Sequence, residues 1–123
     1  MLLDADALND NLQERAEAMG VHGAWDASAI VATRQDAERL AAGREQDEPA
    51  AFFFAAARRS RAFGKLAGAF VPDVARAQAI AIGYELLMDD LELTMLRVGV
   101  LRGELGYDDL RAWFADCLRP LGA

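Results

Sequence analysis

The sequence predicts an all-α fold, a compact bundle of about six helices around a buried central helix. Three observations carry that reading. Alanine and leucine dominate a 54% hydrophobic composition, with few β-branched residues, and that balance favours helices. Apolar residues recur at spacings of three and four along most of the chain. Capping acids and terminating glycines punctuate those stripes. At 123 residues the chain fits a single domain, 1–123, able to bury roughly two-thirds of its unfolded surface.

The first helix is expected over residues 4–19. Asp4 or Asp6 caps it, Leu8, Leu12, Ala16 and Met19 form one face, and Gly20 supplies the left-handed stop. After Trp25, Asp26 or Ser28 caps a second helix carrying Ile30, Val31 and Leu40, which ends near Gly43. Pro49, directly after two acids, opens a third helix over about 49–66, weakened at its end by Gly64 and Gly68. From Val74 to Met88 apolar residues fall on every side, the pattern of a helix buried at the centre of a bundle. Asp89 and Asp90 break it. Another helix, about 91–103, offers Leu93, Leu96, Val100 and Leu101 for burial. The last begins at Asp108 and Asp109, carries Leu110, Trp113, Phe114, Cys117 and Leu118, and stops at Pro120.

The net charge of −7 argues against general nucleic-acid binding, which needs clustered Lys and Arg to neutralise phosphate. It also disfavours docking on anionic membrane and suits a basic protein partner. Cys117 is the lone cysteine, which fits a reducing compartment. The first residues lack the basic and apolar regions of a signal peptide, and no apolar run reaches membrane-spanning length. The expected location is the cytoplasm.

Candidate chemistry is sparse. The single histidine, His22, reads as an exposed loop residue, and with only His22 and Cys117 as N or S ligands no zinc site is expected. Cys117 reads as a packing cysteine, and Trp25 and Trp113 as core anchors. Phe52, Phe53 and Phe54 cannot all face one side of a helix, so either one ring meets the surface or a partner, or a second packing layer covers it. Arg58, Arg59, Arg61 and Lys65 form a basic cluster that is either a solvated face or an anion site. Asp89, Asp90 and Glu92 lack the loop of alternating ligands and the turn glycine that a calcium site needs. Metal ligands and cofactors are therefore expected to be none. No phosphate-cradling glycine loop, dinucleotide fingerprint or nucleophile elbow occurs.

The stretch Gly68-Ala69-Phe70-Val71-Pro72-Asp73-Val74-Ala75-Arg76, leading into an apolar helix, resembles the signature of the Fic/Doc (death-on-curing) family, His-Pro-Phe-x-Asp-Gly-Asn-Lys-Arg. Phe70 and Arg76 match in register. Downstream, Val100-Leu101-Arg102-Gly103-Glu104-Leu105 and then Tyr107-Asp108-Asp109-Leu110-Arg111-Ala112-Trp113-Phe114 look like the Doc-type C-terminus. Trp25-Asp26 followed by Ile30 is similar to the short Arg-Asp-x-x-Leu-Leu helix start near its N-terminus. The resemblance implies a Doc-like helical domain with a degenerate motif. Gly68 stands where the family has its catalytic histidine, Pro72 at the metal-binding acid, and Asp73 at the glycine. Val74 and Ala75 replace asparagine and lysine.

Losing the general base removes a contribution on the order of a hundred- to ten-thousandfold. Asp73 would repel phosphate, and Val74 offers no hydrogen bond. Members of the family transfer AMP or phosphate to a protein hydroxyl, and Doc-type toxins are held by a small antitoxin. The resemblance therefore implies a catalytically defective, protein-binding pseudoenzyme, of toxin–antitoxin or phage origin, with Phe52–Phe54 as a candidate contact. The alternative is a divergent enzyme of that fold, either transferring AMP or phosphate to a protein hydroxyl or using the pocket near Arg76 for other chemistry, with Arg76, Arg58 and Arg59 as candidate anion-binding residues. A third reading is a helical subunit of an unrelated assembly.

Overall fold

A computed structural model describes residues 2–21 and 25–122; His22 and its loop lie outside the described residues. It is an all-α bundle. Six helices of two turns or more run as α1 (Ala5–Met19), α2 (Ala27–Ala41), α3 (Glu48–Arg58), α5 (Ala67–Ala81), α6 (Asp90–Leu101) and α7 (Tyr107–Cys117), with a one-turn α4 (Ser60–Phe63) between α3 and α5. Two three-residue strands, β1 (Tyr84–Leu86) and β2 (Leu118–Pro120), pair antiparallel with Glu85 opposite Arg119. No described helix is long and apolar enough to cross a membrane.

Local chemistry accounts for most helix ends. The Asp4 carboxylate accepts from the Ala7 N–H at 2.8 Å, satisfying a donor that the first turn leaves orphaned. At the other end of α1, Gly20 takes φ 64° and the Val21 N–H reaches the Ala16 carbonyl, closing the last turn. Asp26 caps α2 through the Ser28 N–H, and Asp89 caps α6 through the Glu92 N–H. The Asp109 carboxylate accepts from the Gly106 N–H at the start of α7.

The core lies between α3 and α5, with α2 also packed on α3. Phe52 and Phe53 are wholly buried among Ala50, Ala51, Ala55 and Ala56, small residues that let neighbouring helices approach closely. Burial stabilises each such ring by roughly 1.5–3 kcal/mol. Phe53 meets Phe114 of α7 at a ring separation of 5.4 Å, and Phe63 meets Phe70 at 4.7 Å.

Three expectations change. The central helix does not run from Val74 to Met88. It starts at Ala67, carries Pro72 in its interior, and ends at Ala81; Gly83 at φ 87° then turns the chain into β1. Nor is it covered all round, since Ile80 is 60% exposed. The proline is tolerated because the carbonyl it leaves without a donor belongs to exposed Gly68. The third helix stops at Arg58 instead of reaching residue 66, with Arg59 at φ −105° and ψ 22°. Trp113 is no core anchor: it is exposed, its indole N–H donating to Glu92 at 2.9 Å.

Candidate functional site

The signature stretch lies within the first two-thirds of α5. Its residues divide by face. Phe70, Pro72, Val74 and Ala75 point into the core and are buried. Gly68, Asp73 and Arg76 border two adjoining surface clefts of about 400 and 490 Å³ that share Arg15, Asp73 and Arg76.

Both arginines in these clefts are already engaged. Arg15 of α1 donates to Asp73 Oδ2 through Nε at 2.9 Å and Nη2 at 2.5 Å. Arg76 Nη2 stands 2.7 Å from Asp90 Oδ1 at the start of α6 and donates to the Met88 carbonyl at 3.1 Å. Each guanidinium thus meets a carboxylate of the same chain where an anionic ligand would need it. Lys65 also borders one cleft.

The backbone offers no anion cradle at these residues. Asp73, Val74, Ala75 and Arg76 lie well past the first turn of α5, where N–H groups bond to carbonyls four residues back. Only the free N–H groups of a first turn bind phosphate. Gly68 faces Arg97 of α6: a Cβ built at Gly68 would stand 3.9 Å from Arg97 Nη2. Arg97 in turn reaches Ser60 Oγ at 3.4 Å.

The remaining predicted residues do not converge on these clefts. Arg59 pairs with Asp36 of α2, which also holds Arg39. Arg58 stacks over the Phe54 ring at 5.4 Å. Neither lines a cleft with Arg76. Of the phenylalanine run, Phe52 and Phe53 are fully buried and present nothing to a partner. Phe54 is half-buried against Tyr107 at 6.0 Å, the second packing layer. Among the described residues no group of His, Cys, Asp and Glu is arranged to hold a metal ion.

Sequence reasoning missed Arg15 and Arg97. Arg15 was within reach: it falls on the line Leu8, Leu12, Arg15, Met19 at helical spacing, so it borders the buried stripe of α1. Arg97 carries the same signal, four residues after Leu93 and three before Val100 on α6.

A further cleft, about 520 Å³, lies elsewhere, between the segment before α3 and β1. There Asp47 Oδ2 accepts from Arg44 Nε at 2.6 Å and meets Arg111 Nε at 2.9 Å, and Gln46 donates to the Tyr84 hydroxyl at 2.7 Å. Its polar groups satisfy one another. The neighbouring Tyr107 hydroxyl has its pKa raised, by burial first and then by Asp47. No protein-family model, curated protein or solved structure matches the chain.

Proposed function

We propose that this chain is a Doc-like helical domain that has lost transfer chemistry and acts by binding another protein. The observation that carries the reading is the internal neutralisation of the signature face: Asp73 holds Arg15, and Asp90 holds Arg76. A nucleotide phosphate at Arg76 would have to displace a carboxylate and sit beside Asp73, where like charges repel. It would also find helix-interior N–H groups instead of free ones. Gly68 supplies no general base.

A toxin–antitoxin or phage setting agrees with this reading, and the partner there is a small antitoxin-like protein. Calorimetry with ATP–magnesium is the test, together with a search for ATP-dependent labelling of proteins in a host extract. No saturable nucleotide binding and no labelling are expected. Tight ATP binding, abolished by Arg76→Ala, would overturn the proposal in favour of a divergent transferase.

A further inference from the structure

The exposed face of α6 and α7 is apolar at its centre and acidic around it. Leu91 is 70% exposed and Met95 66%, and the two stand one turn apart on α6. Leu87, 48% exposed, precedes them, and Trp113 of α7 is 44% exposed. Two contacts join the segments that carry these residues. The Leu87 N–H donates to the Cys117 carbonyl at 2.8 Å, and the Trp113 indole donates to Glu92, the neighbour of Leu91. Large side chains exposed side by side on a small domain mark an interaction surface more often than a bare one.

The two segments that carry this face are acidic, with Arg76 of α5 meeting them at one edge, at Asp90. Residues 87–96 and 112–118 contain Asp89, Asp90, Glu92 and Asp116 and no Lys or Arg. Asp90 remains 87% exposed even while paired with Arg76. An identical copy of the face would bring like charges together, which disfavours a symmetric dimer here. An anionic membrane is disfavoured for the same reason.

We infer that the Leu91–Met95–Trp113 face binds an amphipathic helix of a partner protein whose apolar stripe is flanked by lysine or arginine. The stripe covers Leu91, Met95 and Trp113, and the flanking cations meet Asp89 and Asp116. Recognition of this kind places the hydrophobic contact at the centre and the charge pairs at the rim. The inference deepens the protein-binding reading above and rests on it.

The test titrates a fluorescein-labelled leucine/lysine peptide, helical and about five turns long, into the full chain, following anisotropy and backbone amide shifts. A scrambled peptide of the same composition is the control. Binding of the amphipathic peptide, with shifts centred on α6 and α7, is expected. Met95→Asp should weaken it at least about tenfold, the scale of losing one central apolar contact. That substitution adds negative charge, so attraction by charge alone would become stronger instead. Asp116→Lys should weaken binding several-fold at low salt and less at high salt. Val31→Asp, an equivalent change on an exposed position of α2, should leave affinity as it is.

Equal binding of the scrambled peptide, or an unchanged affinity in Met95→Asp, would overturn the inference. So would a self-associating chain that Met95→Asp renders monomeric in sedimentation equilibrium. AMP transfer by the chain would sink the non-catalytic reading, whereas a failed peptide titration sinks only this surface.

Discussion

Arg15 and Asp73, 58 residues apart in sequence, share two hydrogen bonds that join α1 to the signature face of α5. The pair lines both clefts on that face and occupies a cation that phosphate would use. Asp73→Ala releases Arg15 and deletes a repelling charge. It should raise affinity for inorganic phosphate several-fold, read from amide shifts at low salt. Both side chains keep contact with solvent, so the stability lost should be only about 0.5–1 kcal/mol in urea unfolding.

Gly68→His places a histidine at the position that resembles the signature's histidine, without conferring transfer. The imidazole would enter beside Arg97, against a helix whose N–H groups are spent internally. Radiolabelled AMP transfer to protein should stay at background. A clear signal from this single substitution would show that the backbone at Asp73–Arg76 still admits phosphate.

Gln78 separates structural from surface roles on α5. Wholly buried, it accepts from the Leu3 N–H at 2.8 Å and donates to Glu48 at 3.2 Å. Gln78→Ala should cost about 2 kcal/mol, because buried groups lose their partner. Ala77→Ser, on the half-exposed flank, should cost less than about 0.5 kcal/mol. Equal urea midpoints for the two variants would contradict the assignment.

The phenylalanine run makes a graded prediction. Phe53→Ala opens a cavity under Phe114 and should cost about 3–5 kcal/mol. Phe54→Ala, trimming a half-buried ring that Tyr107 and Arg58 flank, should cost about 1–2 kcal/mol. Thermal melts of both variants check the ordering.

Cys117 supplies a pH-dependent observable. Burial first, then the carboxylates of Glu92 and Asp116, push its thiol pKa up. A raised pKa means less thiolate at any given pH below it, and thiolate is the reactive form. Alkylation by iodoacetamide at mildly alkaline pH should be slower than for a cysteine in an unstructured peptide, and should rise more steeply as pH increases. Glu92→Gln should speed it.

How far the sequence reached is clearest at particular residues. Asp4, Gly20 and Asp26 announced their helix ends because capping needs only local contacts. The break after Arg58 was invisible: nothing in Ala-Arg-Arg-Ser resists a helix, and packing of α4 on α5 decides it. The start of α5 was misplaced because Pro72 reads as a beginning, although exposed Gly68 lets a proline sit inside. The ladder of β1 and β2 joins segments far apart in sequence, and three residues of strand leave no periodicity to detect. At the site, the charge content was legible but its pairing was not. Whether Arg76 faces Asp90 or a ligand depends on where α6 begins relative to α5.

The β1–β2 ladder has a mechanical effect on everything between its strands. Tyr84 opposite Pro120 and Leu86 opposite Leu118 zip together the mouth of a loop holding α6 and α7. A loop fastened at its neck has already lost the entropy of bringing its ends together. Its two helices each pack on α3, so the neck and α3 together hold them in place. Asp90 lies inside that loop and holds Arg76 of α5, so the clasp at the neck also helps to fix the guanidinium.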